Sequence, residues 1–544
     1  MGNRMLRVIA ILLALCLLLS GCSEWDTILK ELRSSMYPQD SQRIYIRFSD
    51  MVYERPDPDI FQQELEKLRQ GLKGDADLGQ VVDHINRFYE LFDEFYTNLN
   101  LADIHYCKDL TDSYWEQEYQ FCSQSQPAVE AALDELYRTL AASRFRKILE
   151  GDNYFGEGFF DSYDSESFWD ETFTALTEEE YRLQNRYYEL SSQALAVEPY
   201  SEEYFTKYGT EMARLFVELI AVRQKIAQYL GYDSYVDFAY ENYYYRNYTP
   251  QQAEQYFRQI GKELNTVYRA VNGSEAWDAG SQFCTEKETF VYVKDAAQRM
   301  GGTVAEAFRF LDKAQLYDIS FGENKYNASF EVYLDSYGEP FVFTNPALQG
   351  SDKLVFAHEF GHFANDFVCG GSYAGTDVSE VHSGAMEYLS LLYSEDARAL
   401  EKYKLADSLC VFVEQSAYAL FEQEVYELSG VKLTVDNVQK LYTDICTDFG
   451  FDSWAWDCRD YVTIPHFFTN PMYIASYVVS NDLAFQIYQK EKAEPGAGLK
   501  IYEACLESED SNIMQFAMTY RLEMPFAEQR VAAVRKTFED ELLP

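Results

Sequence analysis

Residues 354–363 read LVFAHEFGHF, and the spacing of their two histidines strongly constrains how this region can fold. On an α-helix, His358 and His362 lie one turn apart on the same face, so one nitrogen of each ring can reach a single cation. Glu359 is rotated by about 100° around the helix axis, where it can reach a water molecule beside that cation. The stretch therefore predicts a helical HExxH metal site with Glu359 as the general base.

The alternative interpretation of this stretch is a buried core helix whose histidines form ordinary hydrogen bonds. Phenylalanines at positions 356, 360 and 363 make the helix strongly apolar. Burying two imidazoles and a carboxylate among them costs free energy unless a cation compensates their polarity. The chain has only six histidines in 544 residues, although short motifs also occur by accident. We favour the metal site.

A catalytic zinc site needs a third protein ligand and one open position. The segment DVSEVHSGAMEYLSLLY, residues 377–393, has the apolar spacing of a second helix. Glu380 on this helix is predicted to be the third ligand. Glu387 is predicted to accept the remaining N–H of a ligand histidine, and the alternative is an exposed helix charge. His382 points elsewhere on the helix and is interpreted as structural.

A second group of polar side chains lies in DYVTIPHFFTNPMYIASYVVS, near the C-terminus. Pro471 is predicted to begin a helix with Asn470 as its N-cap, which places Tyr473 and Tyr477 on one face. His466 is then expected on the preceding loop. These three side chains can donate hydrogen bonds to a developing oxyanion. The alternative is a core tyrosine pair, because the chain has 45 tyrosines.

The rest of the chain is predicted to be mostly helical. Only 13 Pro and 27 Gly occur in 544 residues, which favours long helices over many short strands. The exception is 328–350, where two runs of β-branched and aromatic residues flank Tyr337-Gly338. These runs predict two short strands joined by a turn, immediately before the HExxH stretch. The predicted fold class is mostly α with a small β element.

The N-terminal 22 residues have the anatomy of an export signal. Arg4 and Arg7 precede a 12-residue apolar run that is too short to span a bilayer comfortably. The run ends in LSGC, which resembles the lipobox of bacterial lipoproteins and predicts lipid on Cys22. The alternatives are an ordinary cleaved signal peptide and a signal anchor. We expect residues 1–21 to be removed and residues 22–45 to tether an extracytoplasmic protein to the bacterial cell membrane.

The charge and the cysteines bound the remaining possibilities. A net charge of −44 without a basic stripe argues against nucleic-acid binding and suits a soluble protein outside the cell. Eight cysteines remain beyond the signal and Cys22, an even number that permits disulfides in an exported chain. Cys107–Cys122 and Cys446–Cys458 are the first pairs to consider, and free buried thiols are the alternative.

The motifs together resemble the oligoendopeptidase F group of the thimet-oligopeptidase-like zinc peptidases. The resemblance rests on PFVFTN, LVFAHEFGHF, EVHSGAME and IPHFFTNPMYIASY, with looser agreement in FSDMVYERPDPDIFQQEL and IAQYLGYDSYVDFAYENY. It implies a nearly all-α, two-lobed ellipsoid with a deep central channel that excludes folded proteins. We accordingly expect an N-terminal helical domain at 46–200 and a catalytic zinc peptidase domain at 201–544.

The resemblance also implies roles for the residues of the metal site. His358, His362 and Glu380 match the family's ligands for one zinc ion per chain. Glu359 matches the general base, and Glu387 matches the second glutamate of the ExxSxxxE pattern.

Further residues match positions that face the substrate. His466 matches a substrate-facing histidine, and Tyr473 and Tyr477 match tyrosines near the scissile carbonyl. Ala475 stands where relatives often carry another tyrosine, so the identity of the oxyanion donor stays open. The strand at 341–345 matches an edge strand that pairs with peptide backbone, which predicts substrate contacts for Phe341, Val342 and Phe343.

The sequence and the resemblance lead to one expected activity and two alternatives. We expect a zinc-dependent oligoendopeptidase that cuts internal bonds of short unfolded peptides outside the cytoplasmic membrane. The first alternative is a lipid-anchored peptide-binding protein with a non-catalytic metal site. The second is a catalytically inactive structural protein. The glutamate within HExxH argues against both, because neither needs a base beside a metal.

Overall fold

The computed structural model describes residues 46–151, 153–164, 169–194, 197–371, 375–395, 397–451, 457–508, 510 and 512–543. The predicted export signal, Cys22 and the tether lie outside these residues. No helix within the described ranges combines the length and the apolarity needed to cross a membrane.

Helices form most of the described chain. In the first part they are α1 (Asp59–Lys73), α2 (Leu78–Lys108), α3 (Ser113–Ala141), α4 (Arg146–Leu149), α5 (Glu171–Ala194), α6 (Glu202–Tyr204), α7 (Thr210–Tyr229), α8 (Tyr235–Asn242), α9 (Pro250–Val271), α10 (Asp278–Ser281), α11 (Glu286–Met300) and α12 (Gly302–Ala314). After a small sheet follow α13 (Asp352–Cys369), α14 (Thr376–Leu392), α15 (Arg398–Val425), α16 (Val435–Asp448), α17 (Pro465–Thr469), α18 (Ile474–Ala493), α19 (Ala497–Leu506), α20 (Ile513–Thr519) and α21 (Arg530–Leu542).

Local sequence signals determine where several of these helices begin. At α9, the Thr249 side chain accepts the N–H of Gln252, whose own side chain accepts the N–H of Thr249. Pro250 occupies the first helical position, where a missing N–H costs nothing. Asp77 and Gln80 form the same reciprocal cap at α2. These caps satisfy N–H groups that have no partner within the helix.

The sheet has three strands, β1 (Tyr317–Asp318), β2 (Ser329–Leu334) and β3 (Glu339–Thr344), in the order β1-β3-β2. β2 and β3 form the predicted antiparallel hairpin, in which Phe330 lies opposite Phe343. β1 adds to β3 in parallel, and the sheet packs against α13. The predicted fold class, mostly α with a small sheet beside the HExxH helix, is confirmed.

The prediction that 341–345 is an edge strand is wrong. β3 is the central strand, and the side chains of Phe341, Val342 and Phe343 are fully buried. The N–H of Val342 donates to the carbonyl of Leu316 at 3.0 Å, on the side that a substrate would have needed. The expected substrate contacts of these three residues therefore lose their basis. β1 is too short to show a strand periodicity, so the sequence did not reveal it.

Buried apolar residues form two large clusters. One lies among α1, α2, α3 and the segment up to Tyr163. The other extends from α5 to α21 and includes the sheet and α13, with a few residues of α2. The predicted domain boundary near residue 200 stays a prediction.

The eight cysteines that follow the tether are all described, and all are free thiols. Six are buried, so they behave as small apolar side chains. The free-thiol alternative is the one found, and the pairs Cys107–Cys122 and Cys446–Cys458 do not form.

Candidate active site

Helix α13 carries the HExxH residues and is fixed by its apolar face. Phe356, Phe360 and Phe363 are buried in the main core. On another side of the helix, Gly361 lies against the backbone of α14, where an added Cβ would sit only 2.7 Å from the Cα of Ser383. Only glycine permits this approach, which brings the two helices close enough for their polar side chains to meet.

The two helices bring three candidate metal ligands together. Oε2 of Glu380 lies 3.3 Å from Nε2 of His358 and 3.8 Å from Nε2 of His362. One ligand atom from each residue falls within 4.8 Å of the other two. Among the described residues this is the group of histidine, cysteine and acidic side chains that could hold a metal ion.

The donor set fits a zinc-sized cation. Nδ1 of His358 is 2.9 Å from Oε1 of Glu387, and Nδ1 of His362 is 3.0 Å from Oγ of Ser379. These hydrogen bonds leave both Nε2 atoms directed at Glu380, as metal-ligating histidines require. Ligands bound tetrahedrally to zinc at 2.0–2.1 Å lie about 3.4 Å apart, close to the separations found.

The charges around the ligands also favour a cation. Burial alone would raise the pKa of Glu380, but His358, His362 and the Tyr473 hydroxyl lower that pKa to about 2. Burial lowers the pKa of His362 to about 4, so its ring is neutral at pH 7. Burial acts in the same direction on His358, yet hydrogen bonds to the carboxylates of Glu380 and Glu387 raise its pKa well above the usual value. A cation at Nε2 would take the place of that proton.

Glu359 has the properties of a general base. Its side chain is buried, and burial together with the charges of Glu380 and Glu387 raises its pKa to about 7, against the effect of His358. A carboxyl group that titrates near neutral pH can both accept and return a proton.

Glu387 belongs to a chain of buried charges rather than to an exposed face. It is 9% exposed, accepts from His358 and pairs through Oε2 with Nζ of Lys404 at 2.7 Å. Lys404, on α15, also contacts Asp407 at 3.1 Å. Burial favours the neutral carboxyl, but Lys404 and His358 lower the pKa of Glu387. Lys404 is absent from the residues predicted from the sequence; its signal is a lysine at a core-facing position, four residues after Leu400.

We expect Lys404→Met to weaken zinc binding by roughly 10–100-fold, the usual effect of losing a group that orients a ligand. The substitution leaves the carboxylate of Glu387 buried without its cation, which favours the protonated carboxyl, a weaker acceptor for the N–H of His358. Isothermal titration of the metal-depleted protein measures the change. Lys402→Met removes an exposed lysine of the same helix and is the matched control. Equal zinc affinities of the two variants would contradict this role for Lys404.

The predicted helix start near the second polar cluster is wrong. α18 begins at Ile474, and Pro471 lies in the preceding turn. Met472 there adopts φ 69°, and its N–H donates to Oε1 of Glu422 at 2.9 Å. This left-handed residue prevents a helix from starting at Pro471. His466 lies on the short helix α17 rather than on a loop.

The structure nevertheless brings the three predicted side chains together, and one of them contacts a candidate metal ligand. The hydroxyl of Tyr473 donates to Oε1 of Glu380 at 2.6 Å. Nε2 of His466 lies 3.0 Å from the Tyr477 hydroxyl, and the two tyrosine rings are 5.2 Å apart. Burial lowers the pKa of His466 to about 4 and raises that of Tyr477, so both are neutral at pH 7.

His382 lies apart from these groups, as its structural interpretation requires. Its ring is fully buried, and Nε2 contacts the carbonyl of Cys505 at 3.1 Å.

Comparisons with known proteins bear on the family of the N-terminal part and on the fold. Residues 48–169 match the Peptidase M3 N-terminal domain. No curated protein matches the sequence.

Several solved structures share the fold. A provisionally assigned oligoendopeptidase F superposes with a TM-score of 0.78 at 20% identity, covering 91% of this chain and 98% of its own. PZ peptidase A with an inhibitor gives 0.76 at 19% identity, with 91% and 99% coverage. A provisionally assigned oligoendopeptidase F from Bacillus anthracis gives 0.74 at 20% identity, with 91% and 98% coverage. The described chain therefore has the oligoendopeptidase F fold.

Proposed function

We propose that the protein is a zinc-dependent endopeptidase that hydrolyses internal bonds of short unfolded peptides. The observation that carries the proposal is the convergence of His358, His362 and Glu380 beside the buried carboxyl of Glu359. The match to the Peptidase M3 N-terminal domain supports a peptidase, and the shared fold supports oligopeptide substrates.

In the proposed mechanism, His358, His362 and Glu380 hold the ion, and zinc supplies Lewis-acid chemistry when bound. Glu359 takes a proton from the attacking water and later gives it to the leaving amine. Glu387 and Ser379 accept from the two histidines and so keep their rings oriented.

The second cluster provides donors for the carbonyl oxygen of the substrate. The hydroxyl of Tyr477 is hydrogen-bonded to Nε2 of His466, whereas the hydroxyl of Tyr473 donates to Oε1 of Glu380. We propose that the His466–Tyr477 pair donates to the developing oxyanion and that Tyr473 orients Glu380. Both members of the pair are neutral at pH 7, so each can donate without losing a proton to the substrate.

We expect Tyr477→Phe to lower kcat by about 10²-fold and to change KM little, because the lost hydrogen bond forms in the transition state. Tyr473→Phe should instead weaken zinc binding, since it releases Glu380. Steady-state kinetics on zinc-loaded protein, with a parallel zinc titration, separates the two effects. A raised KM with an unchanged kcat in Tyr477→Phe would contradict the donor role.

Quenched fluorescent peptides test the proposed activity directly. Zinc-loaded protein should cut them at internal bonds, and mass spectrometry of the products should show the cleavage sites. Binding without cleavage would instead indicate a peptide-binding protein.

We also propose that the protein is exported and anchored by lipid on Cys22, outside the cytoplasmic membrane. The proposal rests on the LSGC sequence after the apolar run. Bacteria expressing the full chain and fed an alkyne-tagged fatty acid should label it in the membrane fraction. We expect Cys22→Ser to abolish the label, and labelling that survives this substitution would contradict the assignment.

A further inference from the structure

The backbone that leads into α18 is held in a conformation that its sequence does not favour. Met472 adopts φ 69°, which costs free energy for a residue with a side chain. Three buried groups hold this turn: Glu422 accepts the N–H of Met472, Arg246 donates to its carbonyl at 2.9 Å, and Tyr244 donates to the carbonyl of Pro471 at 2.8 Å. These three contacts to two neighbouring peptide units indicate that the position of the next residue, Tyr473, is closely controlled.

Arg246 connects this turn to two helices. Its guanidinium donates to Oγ of Ser476 at 2.8 Å and to Oδ1 of Asp377 at 3.3 Å, and Ser476 itself donates to Asp377 at 2.6 Å. Asp377 lies in the first turn of α14 and Ser476 in the first turn of α18. All three side chains are buried, so the cluster works at low dielectric, where its bonds are strong and geometrically demanding.

The cluster adjoins both partners of one hydrogen bond at the metal site. Tyr473 directly follows Met472, whose carbonyl Arg246 holds. Glu380 lies one helical turn after Asp377, which the same guanidinium contacts. Arg246 therefore contacts both segments that meet in the 2.6 Å hydrogen bond between the Tyr473 hydroxyl and the Glu380 carboxylate.

We propose that Arg246, together with Asp377 and Ser476, is a positioning cluster that holds Tyr473 against Glu380 and so orients a metal-ligating carboxylate. The inference rests on the proposed zinc site but not on peptide cleavage. An arginine suits the task because its planar fork can reach three acceptors at fixed angles, which a lysine cannot do.

Zinc affinity of the metal-depleted protein, without peptide, tests the proposal. We expect Arg246→Met to weaken zinc binding by roughly 10–100-fold, with a partial loss in Arg246→Lys. Ser476→Ala is the mild variant, which removes one hydroxyl and should lower affinity less while keeping the fold. Arg530→Met is the matched control. Arg530 is the first residue of α21 and forms a buried ion pair with Asp482, which lies on α18 as Ser476 does, away from the candidate ligands. This substitution should lower the melting temperature and leave zinc affinity unchanged.

A double-mutant cycle shows whether Arg246 acts through Tyr473. In a Tyr473→Phe background, Arg246→Met and Ser476→Ala should cause no further loss of zinc affinity. Fully additive losses, or an equal loss in Arg530→Met, would overturn the proposal. Should Arg246→Met fail to fold, Ser476→Ala alone decides the cycle. Zinc binding without cleavage in the unsubstituted protein would overturn the proposed function and leave this inference standing.

Discussion

Glu359→Gln should retain zinc and lose peptide hydrolysis by about 10²–10⁴-fold, the range that general acid–base catalysis supplies. Glutamine preserves the shape of the side chain and cannot accept the proton of the attacking water. The three candidate ligands belong to other residues, so the metal site stays intact. Metal content per chain and kcat on a fluorescent peptide are the two quantities to measure.

The control for this substitution is Glu427→Gln, because Glu427 is an exposed glutamate in the turn that follows α15. It removes the same charge and should leave kcat and zinc content unchanged. Full turnover by zinc-loaded Glu359→Gln would rule out Glu359 as the base. Loss of the metal in that variant would mean that Glu359 is itself a ligand.

Glu380→Ala should reduce zinc binding far more than any substitution outside the ligands. It removes the one anionic candidate ligand and leaves the two imidazoles, and it also removes the carboxylate that accepts from the Tyr473 hydroxyl. Calorimetric titration of metal-depleted protein gives the affinity. Peptide hydrolysis should fall in parallel, because it depends on the bound ion.

Glu387→Gln provides the comparison for Glu380→Ala. This variant keeps all three ligands and loses the carboxylate that orients His358 and pairs with Lys404. Its zinc affinity should fall by roughly 10–100-fold, less than that of Glu380→Ala. If Glu380→Ala bound zinc as tightly as Glu387→Gln or more tightly, the third ligand would be a residue other than Glu380.

The candidate metal site could be predicted from the sequence because helical periodicity determines it locally. His362 follows His358 by four residues, about one helical turn, and the pattern around Glu380 predicted the second helix. α13 includes the whole stretch 354–363, and α14 begins and ends within one residue of the predicted segment 377–393. The roles of these residues stay predictions until metal binding is measured.

The errors arose where distant contacts override local signals. β1 pairs with β3 through two residues only, which no periodicity can show, and the edge position predicted for β3 rested on the resemblance alone. Glu422 and Arg246 hold Met472 in a left-handed turn, which moved the start of α18 beyond Pro471. Partners at such separations can be recognised only once the fold is known.

Stepwise addition of zinc to metal-depleted protein, with peptide hydrolysis measured at each step, tests the central claim most directly. Hydrolysis should be absent at the start, rise linearly and level off at one zinc ion per chain. Hydrolysis that persists in fully metal-depleted protein would contradict the account, as would a plateau with zinc bound and no peptide cut.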